Sequence, residues 1–174
     1  MWWLVAVVGS VTAFVGLRAE TIAGAALTAV VAGLLIVQAP MVVRTRHLSR
    51  RATMVAVALV SLVIAVDVIG DGVGQSGGVA FGVAFGVAAV VVAVYALLHR
   101  LSPRSLGWGD VLLVAPLGLA LGYVAADRVV VWQLLASTTG AIHALALRRI
   151  RGASGIPFGP HLLFAAWLVL LVSV

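Results

Sequence analysis

The sequence predicts an all-α protein, a polytopic transmembrane helical bundle of about seven spans. Of its 174 residues, 64% are hydrophobic and 9% are charged. A soluble domain of this length has too little interior to bury so many apolar side chains, so lipid is the expected solvent. In lipid the backbone must satisfy its own hydrogen bonds, which leaves helices or a closed barrel. Residues 111–126 lack the alternation of barrel strands, and helices are therefore predicted.

Seven apolar segments are predicted to be the spans of a single integral membrane domain, residues 1–174. At ~1.5 Å per residue the shortest covers roughly 24 Å, slightly less than the ~30 Å hydrocarbon core, and the others match that thickness. The first segment lacks a preceding basic region and a clean cleavage site, so we expect a retained helix rather than a signal peptide. The segments are about 2–17, 21–43, 52–70, 79–98, 111–126, 129–147 and 156–174.

The basic residues predict the orientation of the chain. All eleven are arginine, and the net charge is +6. Nine of the eleven lie in the second-to-third, fourth-to-fifth and sixth-to-seventh connections, and the other connections hold only Arg18 and Arg128. Arginine-rich loops face the cytoplasm, so the N-terminus is predicted inside. The charge therefore indicates topology, and no nucleic-acid partner is expected. The nine are Arg44, Arg46, Arg50, Arg51, Arg100, Arg104, Arg148, Arg149 and Arg151.

Glycines recur at helical spacing in two of the predicted spans. In the fourth, the glycines at 78, 82 and 86 fall on one helix face, and Gly118 and Gly122 do so in the fifth. Small residues let the backbones of neighbouring membrane helices approach closely. Both sets are therefore predicted to be helix-packing faces without a chemical role.

No metal or cofactor site is predicted. The chain has no cysteine, and no two of its histidines show the helical spacing of metal ligands. Histidines at an interface are usually amphipathic anchors. The exception worth testing is His161, directly after Pro160, which is placed to approach an acid at the same face. The four histidines are His47, His99, His143 and His161.

One aspartate differs from the other acids. Asp67, Asp71 and Asp127 are predicted to mark the outer interface, and Glu20 lies on the same side. Asp110 closes the sequence Gly107-Trp-Gly-Asp ahead of the fifth span, at the predicted cytoplasmic face. It is either an N-cap, which accepts backbone N–H bonds and favours the helix dipole, or a functional carboxylate.

Two segments resemble the type IV prepilin peptidases. Gly107-Trp-Gly-Asp110 is similar to the family's Gly-x-Gly-Asp helix, and the last span opens with a similar Pro-Phe-Gly-Pro segment. The resemblance covers about residues 25–170. It implies a membrane aspartic endopeptidase that removes leader peptides from prepilins and pseudopilins. Asp110 is then a catalytic acid, and the supporting motif residues are Gly107, Gly109, Pro157, Phe158, Gly159, Pro160 and His161.

The sequence departs from that family at the first catalytic aspartate. Val42 occupies its position, and Ser49 and Arg50 stand where Pro-Asp is usual. Two nearby carboxylates split their pKa values and so supply an acid and a base near neutrality, which a single carboxylate does not do. Asp67 lies about 22 Å from the inner end of its helix and is too distant to substitute. The resemblance therefore predicts a peptidase-like protein with impaired or absent activity.

Two alternatives remain open. The first is an active prepilin peptidase with an unconventional second acid. The second is a small transporter or permease subunit, in which Asp110 and the histidines line a polar path. In each case the bilayer of a bacterial inner membrane is the expected surrounding, and prepilin or pseudopilin leader segments are the partners that the resemblance implies.

Overall fold

The computed structural model describes residues 8–13, 21–45, 49–70, 75–102, 106–151 and 158–173, and the regular structure within these ranges is entirely helical. The all-α class is therefore confirmed. A 3-10 turn, Ala126–Arg128, joins the fifth helix to the sixth. The helices are α1 (8–13), α2 (Ile22–Thr45), α3 (Arg50–Gly70), α4 (Gln75–Leu101), α5 (Trp108–Val124), α6 (Val129–Arg151) and α7 (Gly159–Ser173).

The helices follow the predicted apolar segments. Each segment from residue 21 onward corresponds to one helix, and of the first segment only 8–13 is described. By length and composition, three stretches in the described ranges are long and apolar enough to cross a membrane, and three apolar helices are shorter. The long stretches are Arg50–Gly70, Gly78–Leu101 and Ala126–Ala146, and the shorter helices are Ile22–Gln38, Trp108–Val124 and Gly159–Ser173.

Large apolar side chains cover the outward faces of these helices. Ile69 on α3, Val90 on α4 and Leu134 on α6 are each more than 60% exposed. Such continuous apolar surface is costly in water and is compatible with contact to a lipid bilayer. The number of crossings and the inside location of the N-terminus stay predictions.

Helix α5 lies at the centre of the bundle. It contacts α2, α3, α4, α6 and α7, and Leu113, Leu117 and Leu121 on it are fully buried. The indole N–H of Trp132 on α6 donates to the carbonyl of Leu162 on α7 at 3.0 Å, so a buried polar atom is paired within this core. Because α5 begins close to Asp110, the central position of this helix places that carboxylate inside the bundle.

The closest helix approach is between α4 and α5. A Cβ built on Gly118 would lie 2.9 Å from the Ala88 Cα, and one on Gly122 would lie 2.8 Å from the Ala84 Cα. The packing role of the α5 glycines is confirmed. The corresponding prediction for α4 is wrong, because alanines rather than glycines of α4 face α5. Among the described residues, no atom lies within 4 Å of a Cβ added to any of the three α4 glycines: Gly78, Gly82 and Gly86.

Polar contacts also join the helices at the end of α5 opposite Asp110. The Tyr123 hydroxyl donates to the Asp67 carboxylate at 2.5 Å. The Arg128 guanidinium donates to the Val172 carbonyl and to the Ser173 hydroxyl, each at 3.1 Å. A cation that binds the last carbonyls of a helix stabilises its C-terminus. These contacts fasten α3, α5, α7 and the 3-10 turn together.

Candidate functional site

Asp110 is buried in the first turn of α5. Gly107 is the N-cap of that helix, and Asp110 is its third residue, with 6% of its surface exposed. The Asp110 carboxyl interacts with the backbone N–H of Gly107 as its hydrogen-bond donor. That reach from the third residue back to the N-cap is half of a capping box. The interpretation of Asp110 as the N-cap is therefore wrong, because α5 begins at Trp108.

The same carboxyl also interacts with the start of α7. The backbone N–H of Gly159, the first residue of that helix, is a second hydrogen-bond donor to Asp110. The first N–H groups of a helix have no partner within the helix, and they favour a negative charge. One carboxylate therefore serves the N-termini of two helices, and it joins the Gly-Trp-Gly-Asp segment to Phe158-Gly159-Pro160. Pro157 lies outside the described residues.

His161 contacts another histidine. Its Nε2 lies 2.9 Å from Nδ1 of His143 on α6, and the ring centroids are 5.1 Å apart. In the part of the chain that the structure describes, Asp110 forms no ion pair, with His161 or with any other side chain. Beside this pair, a Cβ built on Gly140 would lie 2.7 Å from the Phe158 ring. Helix α6 therefore packs directly against the first turn of α7.

His99 holds the connection that precedes Asp110. Its Nδ1 lies 2.8 Å from the carbonyl oxygen of Leu106, and its ring centroid is 5.3 Å from that of Trp108. The end of α4 is thereby fastened to the beginning of α5. Sequence reasoning treated His99 as an interfacial anchor and did not indicate this contact.

A second polar pair lies between α4 and α6, and sequence reasoning missed it. The Tyr95 hydroxyl donates to Oε1 of Gln133 at 2.8 Å. The Gln133 Nε2 is buried and has no hydrogen-bond partner among the described residues. The glutamine inside an apolar span was the sequence signal for this pair, because a polar group in a membrane is costly and is usually kept for a structural or functional role.

Gln38 forms a third polar cluster, where α2 is joined to α3. Its Oε1 accepts the Ser49 N–H at 2.9 Å, and its Nε2 donates to the Ser49 carbonyl at 3.3 Å and to the Thr53 hydroxyl at 3.0 Å. Ser49 Oγ in turn accepts the Ala52 N–H at 3.3 Å, as an N-cap does. Ser49, which departs from the family pattern, therefore caps α3 and fixes it to α2.

Val42 lies on α2 one turn beyond Gln38, but its side chain is outside the part that the structure describes. Helices α2 and α5 contact one another. That Val42 faces Asp110 accordingly stays a prediction. Two further acids, Glu20 and Asp71, which are predicted to lie at the outer side, are likewise outside the described residues.

The other described acids lie far from Asp110. Asp67 is bonded to Tyr123, which is thirteen residues along α5 from Asp110, a distance of about 20 Å in a helix. Asp127 is 81% exposed at the same end of α5, with Arg128 at 3.9 Å. Among the described residues, no group of three or more histidines and acids could hold a metal ion. Asp110 is thus the one described carboxylate at its end of α5.

The fold and this site define a helical protein with extensive apolar surface and a buried carboxylate that joins two helix N-termini. Its curated relatives include proteins named prepilin leader peptidase/N-methyltransferase. The chain is 41% identical over 70 residues to that of Aeromonas salmonicida, 37% over 67 residues to that of Aeromonas hydrophila, and 39% over 70 residues to that of Pseudomonas aeruginosa. These matches support a family relationship with the prepilin peptidases.

The similarity covers only part of each chain. Each match covers 38% of this chain and 23% of the relative, so the matched segment spans less than a quarter of the relatives' length. No family model matches the chain. No solved structure matches it.

Proposed function

We propose that this chain is a prepilin-peptidase-like protein of the bacterial inner membrane, which binds leader segments of prepilins or pseudopilins beside Asp110. The observation that carries the proposal is the contact between the Asp110 carboxyl and the Gly159 N–H. It brings together two segments that resemble the family and lie about fifty residues apart in the chain. The partial identity to named prepilin leader peptidases supports the same function.

We further propose that hydrolysis is impaired or absent. Peptide hydrolysis by an aspartic pair needs one ionised and one protonated carboxyl close together. Val42 replaces the first acid of the family pattern, and the other described acids lie at the opposite end of α5. The remaining carboxyl has no second described acid beside it with which it could share a proton. The site then binds a segment of peptide without activating a water molecule to attack it.

A cleavage assay tests both parts of the proposal. The purified chain in nanodiscs is incubated with a prepilin encoded in the same genome, and binding and cleavage are measured separately. We expect binding without cleavage, at least tenfold weaker binding for Asp110→Ala, and cleavage that appears with Val42→Asp. Cleavage by the unmodified chain that is abolished by Asp110→Asn would instead establish an active peptidase with an unconventional second acid. Absence of binding would contradict the proposal as a whole.

The proposed topology has its own test. Because the chain has no cysteine, one introduced cysteine reports on one position. Arg100 and Asp127 are exposed at opposite ends of the helices, so we compare Arg100→Cys with Asp127→Cys. A membrane-impermeant maleimide should label Asp127→Cys in spheroplasts, and label Arg100→Cys only after the membrane is opened. The reverse pattern would invert the orientation, and labelling of both in sealed spheroplasts would contradict the span assignment.

A further inference from the structure

The Gln133 carboxamide has an unused hydrogen-bond donor. Its Oε1 accepts the Tyr95 hydroxyl at 2.8 Å, while its Nε2 is buried and has no partner in the structure. A carboxamide nitrogen carries two donors, and almost all buried polar atoms in native proteins are paired. Of the buried side-chain nitrogens and oxygens in the described ranges, this one alone is left without a bond. Its free donor therefore calls for a functional explanation.

The donor is linked through Tyr95 to the end of the bundle that holds Asp110. Helices α4 and α5 run antiparallel, with Gly118 beside Ala88 and Gly122 beside Ala84. The same register continues to the end of α4 and brings Tyr95 beside the first turn of α5. The hydroxyl of Tyr95 holds Gln133 on α6. The tyrosine thus lies between the start of α5 and the amide.

The two groups have complementary hydrogen-bonding capacities. Asp110 offers acceptor oxygens, and Gln133 Nε2 offers donor hydrogens. A peptide backbone in extended conformation carries one N–H and one C=O per residue, and these need partners when they are buried. Neither a hydrocarbon chain nor an apolar side chain can accept a bond from the amide, whereas a main-chain carbonyl can.

We propose that Gln133 Nε2 donates a hydrogen bond to a main-chain carbonyl of a peptide segment bound beside Asp110. The inference rests on the proposed function, since it assigns a contact for the same leader segment. Gln133 is the binding residue. Tyr95 is a positioning residue, because its hydroxyl fixes which end of the amide faces the peptide. Neither residue belongs to the segments that resemble the prepilin peptidases.

The test measures peptide affinity and stability together. The chain in nanodiscs binds a synthetic, fluorescently labelled peptide made of the prepilin leader and the first residues of the mature protein. We expect Gln133→Met to weaken binding roughly tenfold, because one hydrogen bond to the peptide is lost. Its thermal unfolding temperature should fall only by what the loss of the Tyr95 hydrogen bond explains, and Tyr95→Phe combined with Gln133→Met should restore it. A purely structural glutamine would lower stability and leave peptide affinity unchanged.

Tyrosine variants supply the matched control. Tyr95→Phe removes the bond that orients the amide and should weaken binding by less than Gln133→Met. Tyr123→Phe removes a tyrosine hydroxyl bond at the opposite end of α5 and should leave peptide affinity unchanged. If both tyrosine variants reduce affinity equally, the positioning role of Tyr95 is contradicted.

Ester substitution in the peptide identifies the carbonyl. Each peptide bond in turn is replaced by an ester, whose carbonyl is a weaker acceptor, and affinity is measured for the unmodified chain and for Gln133→Met. One ester should weaken binding to the unmodified chain and have no further effect on Gln133→Met. If every ester weakens binding to both proteins by the same factor, the inference is overturned. It is also overturned if the unmodified chain and Gln133→Met bind the unsubstituted peptide equally. Either result would leave the proposed function intact. Absence of peptide binding by the unmodified chain would overturn both.

Discussion

Two glutamines of this protein, buried Gln38 and partly buried Gln133, have opposite surroundings. Gln38 uses both ends of its amide, bonding the N–H and carbonyl of Ser49 and the hydroxyl of Thr53. Gln133 uses its oxygen for Tyr95 and leaves its nitrogen unpaired. A satisfied buried amide stabilises one arrangement of helices, whereas an unsatisfied one lowers stability until something binds it. A polar side chain inside the bundle therefore does not by itself indicate a binding site, whereas a buried donor without a hydrogen-bond partner does.

Asp110 combines a structural role like that of Gln38 with a position near the tyrosine that holds Gln133. Its carboxyl interacts with the N–H groups of Gly107 and Gly159, which is a structural role of the same kind as that of Gln38. The register of α4 and α5 also places Tyr95, whose hydroxyl holds the Gln133 amide, beside the first turn of α5. The site thus combines a helix junction with a group that is open to a ligand. Variants that affect one cluster and spare the other can separate the two roles.

The largest effect is expected from Gly122→Val. An added Cβ would lie 2.8 Å from the Ala84 Cα and 2.9 Å from the Val87 Cβ, so α4 and α5 must move apart. We expect a loss of about 3 kcal/mol in the free energy of unfolding, at the upper end of overpacking effects. The separation also moves Tyr95 away from Asp110, and it leaves the bonds of Gln38 in place.

Gly82→Val is the control for that change. No atom of the part of the chain that the structure describes lies within 4 Å of a Cβ added to Gly82 on α4. The free energy of unfolding of Gly82→Val should therefore differ by less than about 0.5 kcal/mol from that of the unmodified chain. Unfolding of both proteins is followed by denaturant titration in micelles. Equal destabilisation of the two would mean that the open face of α4 is covered by another element.

An intermediate effect is expected from Gln38→Met. The change removes three hydrogen bonds and leaves the Ser49 N–H without its partner. We expect a loss of about 2 kcal/mol in the free energy of unfolding, because side-chain bonds in this setting contribute about 0.5–1.5 kcal/mol each. The matched variant Gln133→Met removes one hydrogen bond, from Tyr95, and should lose less. If the two variants lose equal stability, the contrast between the two amides does not exist.

The smallest effect is expected from the histidine pair. His143 and His161 face one another at 2.9 Å between ring nitrogens, but His143 is exposed. A double-mutant cycle with His143→Phe and His161→Phe should give a coupling energy of about 0.5 kcal/mol. Prepilin-peptide affinity should not change with His143→Phe. A coupling energy of zero would show that the observed contact contributes nothing to stability.

Much of the fold was predictable from the sequence, and for a simple reason. In lipid, apolar segments of about 20 residues are compatible with few structures other than helices. The predicted segments from 21–43 to 156–174 accordingly match α2 to α7. The close approach through Gly118 and Gly122 also follows from small residues at helical spacing. On α4 the same rule failed, because Ala84 and Ala88 form an equally small stripe beside the glycines.

The site was only partly predictable. Asp110 and Gly159 were found through their motifs, but nothing in the sequence indicated that the Gly159 N–H would face that carboxylate. Tyr95 and Gln133 are 38 residues apart, and neither belongs to a motif. His143 and His161 were set aside as metal ligands because they lack helical spacing, and they meet only because α6 and α7 pack together.

The sequence by itself determined the helices, their apolar surface and the segments that resemble the prepilin peptidases, because these depend on local composition and spacing. Only the tertiary structure decided which polar groups meet. The Asp110 carboxyl joins the starts of α5 and α7, Gln38 is fully paired, and Gln133 keeps a free donor. Hydrogen bonds between distant residues require several helices to pack in one arrangement, and no short stretch of sequence carries that information.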